Sequence, residues 1–167
     1  KHLSSRKKVE EILNTGTFAT TTLRAGIIVG SGSASFEIIR DLVNKLPIMI
    51  TPKWLNTKCQ PIAIPDVLDF LSKSLLNPLT YNQSFDIGGP DILTYKEMLL
   101  GFAEAKKLKR WIFTVPIMTP KLSSYWLYFV TSTSYRLASA LVSSMKVEVI
   151  CSDNRINELL HVTPMSY

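Results

Sequence analysis

The chain has 167 residues, 46% apolar and 19% charged, a composition that is neither disordered nor fibrous. That length suits one compact domain and is short for two. Nineteen basic against thirteen acidic residues give a net charge of +6, and two scattered cysteines (Cys59, Cys151) and two histidines (His2, His161) supply neither a disulfide framework, a zinc cluster nor a histidine-rich metal site.

Residues 1–13 read as a helix with Leu3, Val9, Ile12 and Leu13 in its apolar positions, and Gly16 suits the left-handed position just past its end. No capping residue precedes it, so the chain reads as a piece that opens inside a secondary-structure element of a longer protein. Residues 20–29 (TTTLRAGIIV) are rich in β-branched side chains and lack a polar face after Arg24. They predict one continuous strand covered on both sides, as in a parallel sheet. A turn at residues 30–35 leads into a helix over 36–45 that buries Ile38, Ile39, Leu42 and Val43. Residues 46–51 are extended between Pro47 and Pro52, and 54–58 are loop.

A second strand is expected over residues 60–64, followed by a helix to about residue 76, with Asp66 as its cap and Pro65 outside it. A third strand covers 84–87 and stops at Gly88-Gly89-Pro90. Thr94 and Glu97 have the spacing of a capping box, starting a helix to about residue 107 that carries Met98, Leu99, Phe102 and Ala103. Residues 111–115 are extended, and Pro116 and Pro120 make the next stretch irregular. Residues 123–145 predict an amphipathic helix with Trp126, Val130, Leu137 and Leu141 as core contacts, and 147–150 a last strand. Strands alternating with helices predict an α/β fold with parallel pairing, and there is no internal repeat.

No basic stretch followed by an apolar run opens the chain, so it shows no secretory signal. The longest apolar candidate, residues 125–130, falls well short of the roughly 20 residues of a membrane span. The expected location is cytoplasmic. Part of the positive charge is local, in Lys1, Arg6, Lys7 and Lys8 and in Lys106, Lys107, Lys109 and Arg110. Such clusters suit a phosphorylated ligand or an anionic surface, or are solvated helix faces, and no nucleic-acid-binding signature accompanies them.

Two places carry candidate chemistry. A strand, then Gly30-Ser31-Gly32-Ser33-Ala34-Ser35, then a helix has the layout of a dinucleotide fingerprint. Ser35 stands where the third glycine belongs, and the acidic residue expected about 20 positions on is missing, since residues 49–53 contain none. A loop shaping a pocket and a plain turn are the other readings. The second place is His2 and Arg6, one helical turn apart and on one face. A histidine beside a permanent cation suits proton transfer, and two exposed polar residues at a helix end are the plain alternative.

Four stretches occur in family order: Arg6-Lys7-Lys8-Val9-Glu10-Glu11-Ile12-Leu13, Leu23-Arg24-Ala25-Gly26-Ile27-Ile28-Val29-Gly30, Gln60-Pro61-Ile62-Ala63-Ile64-Pro65-Asp66-Val67, and Phe85-Asp86-Ile87-Gly88-Gly89-Pro90 with Leu93-Thr94-Tyr95-Lys96-Glu97. Together the sequence resembles the second half of short-chain dehydrogenase/reductases of the extended and atypical kind, which include nucleotide-sugar epimerases and the NmrA-like group. The resemblance covers about residues 1–105. Gly30 to Glu37 and Leu122 to Trp126 look like a bacterial branch of epimerase/dehydratase-like proteins.

The resemblance implies the C-terminal part of a Rossmann-like parallel sheet with a small substrate-side α/β subdomain, residues 1–167 forming one partial domain. The family's active helix carries Tyr-x-x-x-Lys and a glutamate four residues later. Counting back from Glu10 puts Arg6 at the lysine and His2 at the tyrosine. The tyrosine is the family's acid/base, and the lysine lowers its pKa and holds a ribose. Arg6 would then be a fixed cation for ribose or phosphate, and His2 a proton carrier of different reach. The family implies that Ala25, Gly26, Ile27 and Ile28 lie near the nicotinamide. It places Gly30, Ser31, Ser33, Phe36, Trp54 and Gln60 at the substrate cleft, Trp54 as a stacking platform or a loop anchor and Gln60 as a donor. NAD or NADP would be held mainly by the N-terminal half, where the family's Gly-rich phosphate loop lies, and that half is this chain's expected partner. The implied activity is an NAD(P)-dependent oxidoreductase or epimerase acting on a carbonyl or sugar-like small molecule. The altered pair also admits a non-catalytic cofactor sensor, or an assembly module docking through residues 123–145.

Overall fold

A computed structural model describes residues 2–115 and 145–167, with side chains from residue 4 onward. In chain order these form α1 (His2–Leu13), β1 (Thr21–Ala25), β2 (Ile27–Val29), α2 (Ala34–Lys45), β3 (Ile48–Pro52), β4 (Lys58–Cys59), β5 (Pro61–Ala63), α3 (Ile64–Ser74), β6 (Gln83–Ile87), β7 (Leu93–Thr94), α4 (Tyr95–Ala105), β8 (Trp111–Val115) and α5 (Arg155–Leu160). Short 3-10 turns occupy Lys53–Asn56 and Pro78–Thr80. The helix expected over residues 123–145 falls almost wholly outside the described residues.

The architecture is mixed α/β with three parallel strand pairs. β1 runs beside β6 from Thr21↔Gln83 to Ala25↔Ile87, β2 beside β5, and β3 beside β8, while β4 and β7 are antiparallel. Parallel neighbours need crossover connections, and helices supply them here. Residues 20–29 are not one strand. They divide at Gly26, where the chain leaves β6 and takes β5 as its new partner. A Cβ on Gly26 would lie 2.6 Å from Cγ1 of Val149, so the returning C-terminal segment presses on the break.

That segment was expected to be a strand over 147–150 and instead makes a single parallel bridge, Val149 with Cys59. The Gln60 N–H donates to the Val149 carbonyl (2.9 Å) and the Val149 N–H to the Lys58 carbonyl (3.2 Å). The next donor, the Cys151 N–H, goes to the Gln60 side-chain Oε1 (2.9 Å), so a side chain intercepts the ladder.

Helix α3 also begins differently. It starts at Ile64, with Ala63 as a cap that makes no side-chain bond, so Pro65 and Asp66 lie inside the first turn. Proline is tolerated there because first-turn N–H groups have no helical acceptor. Asp66 therefore does not cap the helix, and its carboxylate accepts the Met165 N–H of the C-terminal tail (3.0 Å). The capping box of α4 forms as the spacing predicts. The Glu97 N–H donates to Thr94 Oγ1 (3.1 Å) and the Thr94 N–H to Glu97 Oε2 (2.7 Å).

Two apolar clusters flank the β2–β5 pair. One gathers Ile38, Leu42 and Val43 of α2, Met49 of β3, Leu55, and Met98 and Leu99 of α4. The other gathers Ile62, Phe70 of α3, Phe85 and Ile87 of β6, and Ile156 and Leu160 of α5. Ile27 joins the first and Ile28 packs on the second, as alternation along a strand requires. Helix α1 stands apart, with Val9, Ile12 and Leu13 exposed. It is fastened by polar contacts, Ser84 Oγ to Glu10 and Thr20 Oγ1 to Asn14 Oδ1 (2.7 Å). Among the described residues no helix is long and apolar enough to cross a membrane, and no group of three His, Cys, Asp or Glu side chains is placed to hold a metal ion.

Candidate functional site

A cleft of about 730 Å³ opens between α1 and β1. Its wall on the strand side is formed by consecutive residues, Thr21, Thr22, Leu23, Arg24, Ala25 and Gly26, rather than alternate ones. A strand that lines a cavity with every residue is met edge-on, since its side chains alternate between faces. β1 pairs with β6 alone among the described residues, so this is its unpaired edge. Helix α1 contributes Arg6, Lys7, Glu10 and Glu11, and Gln60, Asp86 and residues 149–151 close the far side.

The charges in the cleft are organised around Arg24. Its guanidinium lies 3.7 Å from the Glu10 carboxylate and 3.8 Å from that of Asp86. Asp86 also accepts from the Ser152 N–H (3.0 Å) and the Ser152 hydroxyl (2.6 Å). Partial burial works against its ionisation, but the Ser152 donors and the cations Arg24 and Arg155 outweigh it and hold the carboxyl below the usual range. Arg155 donates to the Ser84 carbonyl (3.1 Å) and stacks over the Phe85 ring, 4.8 Å from its centre. The Cys151 thiol is pushed up to about 11, by burial first and then by Asp86 and Asp153. Both influences favour the protonated thiol at neutral pH.

The structure gathers some of the residues singled out from sequence and separates others. Arg6, Ala25, Gly26 and Gln60 line the one cleft. His2 opens α1, one turn before Arg6. Ile27 is buried in the first cluster and Ile28 packs on the second. Gln60 has its amide committed to the backbone. Nε2 donates to the Gly89 carbonyl (2.7 Å) while Oε1 accepts from Cys151.

Gly30, Ser31 and Ser33 form the turn before α2. Gly32 holds its left-handed φ of +83°, and the Ser33 hydroxyl donates to the Ile28 carbonyl (2.6 Å). None of the three lines the cleft. Phe36 meets Phe102 edge-on at 5.5 Å and borders a separate apolar cavity of about 230 Å³ with Val29, Gly101 and Tyr167. Trp54 packs edge-on against Tyr95 at 6.3 Å, its indole N–H buried without a partner among the described residues.

Sequence reasoning passed over Glu10, Arg24, Asp86 and the 149–152 segment as site residues. A signal was present for the first three. Arg24 is the only charged residue in the stretch 20–29. Glu10 lies one turn beyond Arg6 on the same helix face, and Asp86 is the only charged residue of β6. Nothing local marks Ser152 or Cys151, which arrive by the fold.

No protein-family model matches the sequence, and no curated protein matches it. Solved structures do. A nucleoside-diphosphate-sugar epimerase from Staphylococcus aureus superposes with a TM-score of 0.70 at 15% identity, over 96% of this chain and 54% of that one. An epimerase from Methanothermobacter thermautotrophicus gives 0.62 at 12%, over 96% and 43%. UDP-glucuronic acid 4-epimerase from Bacillus cereus, in complex with UDP-glucuronic acid and NAD, gives 0.61 at 10%, over 96% and 45%. The fold is that of the Rossmann-like epimerases and related reductases, as the sequence resemblance implied. The chain spans about half the length of the solved structures it matches.

Proposed function

We propose that this chain is the C-terminal, substrate-side half of an NAD(P)-dependent oxidoreductase or epimerase of the short-chain dehydrogenase/reductase type, acting on a carbonyl or sugar-like small molecule. The observation that carries this reading is the cleft itself. An unpaired parallel-strand edge, a helix bearing Arg6, and the small residues Ala25 and Gly26 meet in one cavity of about 730 Å³, room that the strands of the other half and part of a cofactor would share.

These residues fit part of a dinucleotide. Arg6 and Lys7 supply cations for ribose or phosphate oxygens, and the short side chain of Ala25 leaves room for a flat ring. Among the described residues no glycine-rich turn at a helix N-terminus borders the cleft, so the pyrophosphate falls to the absent half, which would add its strands to the free edge of β1. When bound, the nicotinamide supplies hydride exchange. Arg6 orients the ribose as a permanent cation, and His2 moves a proton to or from the substrate oxygen.

The test is titration of the full-length protein with NADH and NADPH, followed by a turnover screen with sugar nucleotides. Arg6→Ala is expected to weaken cofactor binding about tenfold, the loss of one charge-assisted contact. His2→Ala should abolish turnover while leaving binding intact. Binding and turnover unchanged in both variants would remove the pair from the site. The replacement of tyrosine and lysine by His2 and Arg6 favours one second reading, a cofactor sensor without turnover. It predicts cofactor affinity with no hydride transfer to any substrate screened.

A further inference from the structure

Strands β3 and β8 pair in parallel from Ile48↔Trp111 to Pro52↔Val115. Alternation sends Met49 and Ile112 to the first cluster and leaves Ile48, Ile50, Trp111 and Phe113 outside it. Those four are 59%, 56%, 64% and 55% exposed. The register sets Ile48 beside Trp111 and Ile50 beside Phe113, so they form one block, roughly 7 Å along the strands and 5 Å across them at Cα. Cations flank the block. Residues 44–58 and 105–115 carry Lys45, Lys53, Lys58, Lys106, Lys107, Lys109 and Arg110 and no acidic residue. Without those seven, twelve basic residues stand against thirteen acidic ones in the rest of the chain. The positive excess of the whole sequence therefore belongs to the two segments that carry this sheet. The turn before β8 is held in place, since the Arg110 guanidinium donates to the Val43 and Lys109 carbonyls, while Lys107 and Lys109 are exposed.

We propose that this face docks the protein on an anionic lipid surface. The charge is complementary and so is the layout. A compact apolar block can enter the boundary between headgroups and acyl chains, with the indole of Trp111 at headgroup level. Lysine stems lie along such a block while their heads reach lipid phosphates. Nucleic acid would match the charge but not the block, because Ile48 and Ile50 have no flat face on which a base can stack. The other half of the protein is a poorer occupant for two reasons. The first cluster stands between this sheet and β1, where that half would join. Seven cations placed under protein would also each need a matching partner, whereas a headgroup layer offers phosphates at every position.

The experiment is sedimentation of the full-length protein with two vesicles, phosphatidylcholine alone and phosphatidylcholine with about 30% phosphatidylglycerol. The wild type should sediment with the anionic vesicles only, and about 0.5 M salt should release it. The double variant Lys107→Gln, Lys109→Gln should bind roughly thirtyfold more weakly, about fivefold for each cation removed. Trp111→Ser should weaken binding roughly tenfold. Circular dichroism and NADH binding should be unchanged in both. If Trp111→Ser fails to fold, the lysine variant, altered only in an exposed turn, carries the test. A full-length protein that ignores the anionic vesicles, or sediments equally with both kinds, overturns the proposal. So does vesicle binding that survives both variants. Binding of a single-stranded oligonucleotide in place of vesicles, lost in the lysine variant, would overturn it too and give the patch to nucleic acid.

Discussion

Gln60 shows how one side chain holds a cleft wall in place. Its two amide ends bind backbone groups from segments far apart in sequence, the Gly89 carbonyl and the Cys151 N–H. Gln60→Ala would leave both without their partner in a buried setting, a cost of about 1–3 kcal/mol. Urea denaturation should read that loss. A Gln60→Glu variant, which keeps one acceptor, should lose less at acidic pH than at neutral pH. Titration adds a second expectation at this scale. Burial, and then the Glu97 charge, push the Cys59 thiol from 9.0 to about 12. Burial likewise takes the Tyr167 phenol to about 12, with a smaller push from Cys59. Raised folded-state values favour the protonated forms. Their contribution to stability is complete below about pH 9 and is lost as pH climbs through 11 and 12. The denaturation midpoint should be flat across neutral pH and fall in alkali, and Cys59 should resist alkylation until the chain unfolds.

Among the elements, α4 is the one whose start is written locally. Its capping box satisfies orphan donors at both ends of a four-residue motif, so it forms wherever the spacing occurs ahead of an apolar run. Hydrogen bonds from the Thr94 N–H and hydroxyl hold Glu97 below the usual carboxylate range. The box therefore stabilises fully above that range and is lost as pH falls through the lowered value. Thr94→Ala should cost about 1 kcal/mol at neutral pH and less at acidic pH, measurable as a narrowing gap between the two melting curves. α3 and β1 behave differently, because each changes role according to its neighbours. The first turn of α3 absorbs a proline that sequence placed outside it, and β1 ends where Val149 arrives.

At the scale of the whole molecule, the unpaired edge of β1 is the dominant fact. A parallel strand with one bare edge is an invitation to further pairing. Hydrogen exchange should report it. Amides of β1 that donate to β6 should be protected, and those facing the cleft should exchange rapidly in the isolated chain. In the full-length protein the same cleft-facing amides should slow by at least tenfold. Equal, rapid exchange in both would mean that nothing adds to this edge. Two exposed apolar residues of α1, Val9 and Leu13, border the same cleft and would be covered together with it.

Much of this architecture was legible in the chain because local physics specifies it. The α2 stripe, the Thr94–Glu97 box, the Gly32 turn and the alternation of strands with helices follow from periodicity and from backbone chemistry within a few residues. So did the α/β class and the resemblance to one half of a nucleotide-binding fold. What sequence could not supply was partner choice. That residues 20–29 serve two strands, that Gln60 turns its amide to the backbone, that Asp66 receives the tail, and that Arg24 bridges Glu10 and Asp86 are all contacts between segments distant in sequence. Such contacts depend on where the chain returns in space, which no local propensity encodes, so only the tertiary structure decided them.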